Sequence, residues 1–290
     1  MSISFWRISA SLQIISSFSP KPSWSWKMKK KSRIDDHLHE HFNLGTLEEV
    51  RRIIMAGKVL NNNQPVYKPS EIIDVNKADI RFKNIKPYVS RGGIKLDHAV
   101  KSFGMELSGK VVTDIGSSTG GFTDCALQKG AVHVYAVDVG TNQLDYRLRT
   151  DDRVTVMEQT NFKDTEAPQF NLKPDVFTID VSFTSIIPIL RHIIHLFRHE
   201  YVIVALIKPQ FESYLEERED SGIITSKETH ENVIRRVLAE CGSLGLSAEG
   251  LARSPITGTK GNIEYLFYLR HGEGEASTIE EEDIQHSVYG

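Results

Sequence analysis

The sequence predicts an α/β fold: a Rossmann-like, mostly parallel sheet with an antiparallel strand, preceded by a small α+β domain. Three observations carry this. From residue 111 onward, apolar strands alternate with helical stretches, the rhythm of a parallel sheet covered on both faces. The apolar run Val111 to Ile115 passes into a glycine-rich turn, Gly116 to Phe122, and the next strand closes on Asp138. Finally, 290 residues with 40% hydrophobic side chains suffice for one large core and a smaller one.

Taken in order, residues 1–27 hold serines and Trp6, Trp24 and Trp26, but no apolar run of bilayer length and no small-residue cleavage site. They read as an upstream extension or a disordered arm, with Met28 before Lys29-Lys30-Lys31 as the start of the folded protein. The small domain is expected over 32–84. Apolar residues recur at helical spacing from Arg33 to Phe42 and from Leu47 to Met55, where Ala56-Gly57 stops the second helix. Short strands follow at 58–60, 64–66, 71–75 and 79–82, the first two joined by Asn61-Asn62-Asn63. Residues 85–91, with Pro87 among them, read as a linker. The large domain occupies 92–271. Its strands are expected at 111–115, 133–138, 154–158, 175–181 and 200–207, and its helices at 121–129, 143–149, 186–197 and 227–241. Two last strands, about 246–252 and 263–270, close the sheet, the final one antiparallel. The acidic stretch 272–290 is low in apolar content and is expected to be disordered.

Charge is unevenly spread. Residues 28–110 carry about +6 and residues 111–290 about −12, counting Lys and Arg against Asp and Glu. A basic leading part suggests a polyanionic partner, and Arg51, Arg52 and Lys58 could form a face for a phosphate backbone. Cys125 and Cys241 have no C-x-x-C or Cys/His ligand spacing, which speaks against a disulfide framework or a zinc site and for a reducing, cytoplasmic setting. His37, His39 and His41 alternate at period two, which a helix scatters over different sides, so no metal is expected there.

The turn after the first strand describes a nucleotide-type pocket, because glycines let the backbone approach a ligand at a helix amino end. The dinucleotide pattern G-x-G-x-x-G is not met, since Ser118 stands where the second glycine would be. That favours S-adenosylmethionine (SAM), which has no pyrophosphate to cradle. Ligands in such sheets sit beyond the carboxyl ends of the parallel strands. Asp180 and Lys208 end strands there, and Glu264 joins them if it opens an antiparallel strand. Lys95 lies in Ser90-Arg91-Gly92-Gly93-Ile94-Lys95-Leu96, leading into the helix before the first strand.

Five motifs in order then identify a resemblance: Tyr88 to Leu96, Asp114 to Asp124, Asp180-Val181-Ser182-Phe183, Lys208-Pro209-Gln210-Phe211-Glu212, and Ser254 to Gly258 with Gly261 to Glu264. Together they resemble the TlyA or hemolysin-A-like family, bacterial SAM-dependent ribosomal RNA methyltransferases with an FtsJ-like catalytic domain. The resemblance runs from about residue 32 to 270. It implies that the small domain looks like the RNA-binding module named after ribosomal protein S-four, with Arg33, Arg51, Arg52 and Lys58 as its RNA contacts. It further implies a Lys-Asp-Lys-Glu set for ribose 2′-O-methylation, mapping onto Lys95, Asp180, Lys208 and Glu264, with Lys208 as base. Gly116, Ser118, Gly120, Gly121 and Phe122 would hold the methionine part of SAM. Asp138, with Val139 and Asp180 beside it, would meet the rest of the cofactor. The implied partners are ribosomal RNA or ribosomal subunits, the acceptor a cytidine. No metal is implied, because the methyl already carries a good leaving group.

The chain departs from the family pattern at Thr46-Leu47, Asn62-Asn63 and Thr225-Ser226, which bear on RNA affinity and target choice rather than on the reaction. Two other functions compete. A membrane-active hemolysin, as the family's older name suggests, would need a transmembrane or long lytic amphipathic helix, and the sequence offers neither. A non-catalytic RNA-binding protein would have no need of all four of Lys95, Asp180, Lys208 and Glu264. The sequence leaves the oligomeric state open.

Overall fold

The computed structural model describes residues 31–42, 44, 46–83, 87–218, 222–272 and 277–290. The expected arm 1–27 lies outside them, as do residues 85 and 86 of the expected linker. Two compact units result, Met1–Pro87 and Tyr88–Gly290.

In the first unit the order is β1 (Lys31–Arg33), α1 (Ile34–His41), α2 (Leu47–Met55), β2 (Val59–Asn61), β3 (Gln64–Val66), β4 (Ile72–Asp74) and β5 (Ile80–Phe82). Ile34 and Leu38 on α1, and Val50 and Ile54 on α2, recur at i and i+4. All four are fully buried with Val59, Val66 and Ile73 in one cluster. Thr46 caps α2 through a reciprocal box with Glu49, so the departure from the family pattern at this position still supplies a helix start. Asn62 and Asn63 take φ of +50° and +63° and close the β2–β3 hairpin, the left-handed conformation that asparagine tolerates best after glycine. β1, which pairs with β4, was not foreseen, because three residues are too few to show a period.

The second unit runs α3 (Gly92–Ser102), β6 (Val111–Ile115), α4 (Gly121–Gln128), β7 (His133–Val137), α5 (Tyr146–Arg149), β8 (Val154–Met157), β9 (Val176–Ile179), α6 (Ile187–Leu196), β10 (Tyr201–Ile207), α7 (Pro209–Glu212), α8 (Lys227–Ser243), β11 (Ser247–Arg253), β12 (Tyr265–His271) and α9 (Glu281–Tyr289). Its seven strands lie in the order β11-β12-β10-β9-β6-β7-β8. β10, β9, β6, β7 and β8 are parallel, and β12 is antiparallel to both its neighbours. The α/β class and the antiparallel strand therefore stand as expected. The central strands are apolar on both faces because helices cover both. Leu96 and Ala99 of α3 pack with Val112, Val134 and Val204 on one side, and Leu190, Ile193 and Val233 of α6 and α8 with Phe177, Ile203 and Ala205 on the other. From β6 the chain first builds outward through β7 and β8, then returns to add β9 on the opposite side. The switch point thus falls between β6 and its neighbours.

Two boundaries differ from the sequence reading. Residues 88–91 belong to the large unit rather than to a linker. Tyr88 is 9% exposed, and its ring lies where a Cβ on Gly93 would have to sit, while Val89 N donates to Asp124 Oδ2 at 2.8 Å. The acidic stretch 272–290 is not without structure either, since α9 forms within it. Ile284 and Val288, one turn apart, are buried against α8 and β11, and Arg235 pairs with Glu281. Composition averaged over the tail conceals two apolar residues at helical spacing.

Candidate active site

Three strand ends and one helix assemble the site. β9 and β10 are parallel neighbours, so Asp180 and Lys208, the residues that follow them, leave the sheet at the same edge. β12 runs back along β10 with Tyr265 opposite Ile207, which brings Glu264 beside Lys208. Lys95 reaches in from the first turn of α3. The four side chains form a chain of alternating charge. Lys208 Nζ is 2.7 Å from Asp180 Oδ1, Lys95 Nζ is 3.6 Å from Asp180 Oδ2, and Lys95 Nζ is 2.7 Å from Glu264 Oε2. Lys95, Lys208 and Glu264 are each buried, a placement that charged groups tolerate only when paired. Lys208 Nζ also donates to Ser182 Oγ at 3.1 Å.

Two cavities meet at this cluster. One, of about 330 Å³, is lined by all four residues with Gly116, Ser118 and Phe122. The other, of about 370 Å³, is lined by Asp138, Val139, Phe162, Asp180 and Phe183 among others. Gly116, Ser118, Asp180 and Ser182 line both. A ligand lying across them would therefore present one end to Lys208.

The turn between β6 and α4 is built for close approach. Gly116 has φ of +84°, and a Cβ there would lie 2.6 Å from the Asp180 carbonyl oxygen, so glycine is required twice over. Ser118, at φ +47°, donates its N–H to Asp138 Oδ2 at 2.8 Å and its hydroxyl to Gln143. Gly121 and Phe122 line the first cavity. Gly120 is among the lining residues of neither; it turns the chain at φ +92° and packs against Leu144 and Leu148. Asp138 accepts from Ser118 N and Gly140 N, one bond on each oxygen. A carboxylate has about four lone-pair sites, so capacity remains for two further donors such as a ribose diol. A glycine turn at a helix amino end, a strand-end carboxylate with spare acceptor capacity and an apolar wall from Val139 and Phe162 fit SAM.

Several residues of the site were given no individual role by the sequence reading, which marked Asp114 and Phe183 only within motifs. Asp114, wholly buried, accepts from Thr123 N and Oγ1 and from Thr178 Oγ1, and burial pushes its carboxyl up to about 6. It ties α4, β6 and β9 together beneath the turn. Ser182 was visible only as part of a motif. Asn161 to Lys163 line the second cavity from a loop whose sequence shows no periodicity or glycine pair to mark it. Phe183, 90% exposed at φ +63°, stands against the Phe211 ring at 5.2 Å, an arrangement without a packing purpose.

In the small unit the expected RNA contacts separate into two kinds. Arg33 and Arg51 both bond Asp35, a fully buried carboxylate, at 2.7–3.0 Å, and the Arg33 guanidinium foremost holds that carboxyl down to about 2. Arg52 meets Glu48 at 3.8 Å on the surface, its one ion pair among the described residues, and Lys58 is exposed. Two of the four thus hold the unit together while two face solvent.

The model of the FtsJ-like methyltransferase family matches residues 88–271, from Tyr88 to the end of β12. YqxC of Bacillus subtilis is 44% identical over 265 residues, 89% of this chain and 93% of that one. The 16S/23S rRNA (cytidine-2′-O)-methyltransferase TlyA of Mycobacterium tuberculosis is 32% identical over 244 residues, covering 84% and 91%. A solved structure from Streptococcus thermophilus that carries a hemolysin name superposes with a TM-score of 0.68 at 41% identity, covering 89% of this chain and 94% of that one. The chain belongs to the FtsJ-like methyltransferase family.

Proposed function

We propose that this protein transfers a methyl group from SAM to a ribose 2′-hydroxyl of ribosomal RNA, on a cytidine. The observation that carries the reading is the paired Lys95, Asp180, Lys208 and Glu264 cluster at the junction of two cavities. The naming of a relative at 32% identity as a cytidine-2′-O-methyltransferase supports the same acceptor. Bound SAM supplies a methyl on a sulfonium, an electrophile with a neutral leaving group. The turn at Gly116 to Phe122 and the Asp138 carboxylate would hold it with that methyl toward Lys208.

A ribose hydroxyl is a poor nucleophile near neutral pH and must lose its proton as it attacks. Lys208 Nζ, reacting as the neutral amine, takes that proton and becomes the ammonium. Asp180 and Ser182, at 2.7 Å and 3.1 Å, fix the amine in place, and Lys95, held by Glu264, orients the hydroxyl and stabilises the negative charge that grows on it. The exposed Arg52 and Lys58 of the small unit supply phosphate contacts that position the RNA without reading its sequence.

Incubating the chain with radiolabelled SAM and separate ribosomal subunits, then mapping the label, tests the reading. Label on a cytidine 2′-oxygen is expected, and label on a base overturns it. The hemolysin reading rests on relatives' names; among the described residues no helix is long and apolar enough to cross a membrane.

A further inference from the structure

A cavity that admits a nucleic-acid 2′-hydroxyl to Lys208 brings a phosphate to its own rim, because the 3′-phosphate hangs from the neighbouring ribose carbon. On the wall of this cavity, beside Lys95 and Lys208, stands Arg91. Deeper in the cavity Lys95 and Lys208 are already engaged by Asp180 and Glu264. Arg91 adds one further positive charge. It is exposed, and among the described residues no carboxylate pairs with its guanidinium.

The backbone under Arg91 is held rigidly. Ser90 Oγ accepts from Gly92 N, and the Tyr88 ring occupies the space beside Gly93. A Cβ on Gly121 would meet Ser90 Oγ at 2.2 Å, so the amino ends of α3 and α4 abut at the cavity wall. Their partial positive charges reinforce that of the guanidinium. The arginine thus lines the cavity on a fixed mount, and among the described residues no carboxylate pairs with its head group.

We propose that Arg91 is the phosphate clamp of the acceptor strand. Its planar, five-donor guanidinium holds the phosphate next to the methylated ribose bidentately and so registers the hydroxyl over Lys208. This rests on the 2′-O-methyltransferase reading above. The carboxylate of a bound SAM offers the same anionic fork, and the exposed position of Arg91 on the wall favours the phosphate that arrives from solvent.

The test compares the full chain with its Arg91→Ala and Arg91→Lys variants, all checked for an unchanged melting temperature. In methyl transfer to ribosomal subunits, Arg91→Ala should raise the KM for RNA about ten-fold or more while SAM affinity by calorimetry stays within two-fold. Arg91→Lys, which keeps the charge and loses the fork, should recover part of the loss. Filter binding of the same rRNA without SAM reads the contact independently of transfer. There the slope of log affinity against log salt should fall by about one for Arg91→Ala. An unchanged RNA KM and salt slope overturn the proposal. So does a loss of SAM affinity with RNA binding intact, which would assign the guanidinium to the cofactor carboxylate. If wild-type protein labels a base, the parent reading fails, while the filter-binding slope still decides the role of Arg91.

Discussion

Lys208 Nζ and Asp180 Oδ1 stand 2.7 Å apart, each the first residue beyond one of two adjacent parallel strands, and Ser182 Oγ completes the grip on the amine. Strand pairing, rather than any local contact, puts acid and base together. Lys208→Ala should therefore lower the methyl-transfer rate by about 10²–10⁴-fold, the usual worth of a positioned base, with SAM binding within a few-fold. A large loss of SAM binding by calorimetry would make the lysine structural instead.

Gly116→Ala places a Cβ 2.6 Å from the Asp180 carbonyl oxygen at a φ of +84°. Neither the clash nor the strain can be relieved without moving the turn off the cavity wall. Stability should fall by about 1–2 kcal/mol and SAM affinity at least ten-fold. Thermal melting with and without SAM reads both, and a variant with wild-type affinity would show that the turn is more pliable than its contacts indicate.

The paired arginines of the small unit should behave differently. Arg51→Ala uncouples half of the grip on buried Asp35 and should destabilise this unit by roughly 1–2 kcal/mol, discounted because the arginine is itself 39% exposed. Arg52→Ala should leave stability unchanged and weaken rRNA binding, with a shallower salt dependence. Hydrogen exchange on α1 and filter binding separate the two; equal effects of both substitutions on both readouts would refute the division.

Asp35 and Asp114 predict opposite pH responses. The Asp35 carboxyl is held down to about 2 in the fold, so its stabilisation is present above the unfolded value near 4 and is lost as pH falls toward 2. Asp114 is pushed up to about 6, so its contribution is fullest below about 4 and is lost as pH rises through 6. Asp114→Asn should flatten the stability profile between pH 4 and 7 relative to wild type. It should also cost about 1–2 kcal/mol, since an amide cannot accept from Thr123 and Thr178 on both sides. Denaturant midpoints across that range measure this, and parallel profiles would count against a raised Asp114.

Much of the large unit was legible because its signals are local. A buried parallel strand must be apolar throughout, and a turn that approaches a ligand needs glycine, so β6, the turn after it and Asp138 could be read from adjacent residues. The small unit was legible through i and i+4 spacing at Ile34/Leu38 and Val50/Ile54. The misplaced boundaries arose where composition was averaged, hiding α9, or where a proline stood in for a linker, hiding the core role of Tyr88.

The sequence alone determined which residues have chemistry to offer and in which strand ends they sit. Only the tertiary structure decided what each of them touches. Arg33 and Arg51 look like RNA contacts in sequence, yet both are drawn to a carboxylate inside the fold. Arg91 looks like part of a linker, yet it lines the same cavity as Lys95, Asp180, Lys208 and Glu264. The physical reason is that a charge takes its role from the nearest opposite charge. That distance is set by helix packing and strand register among residues far apart in the chain, which no local spacing encodes.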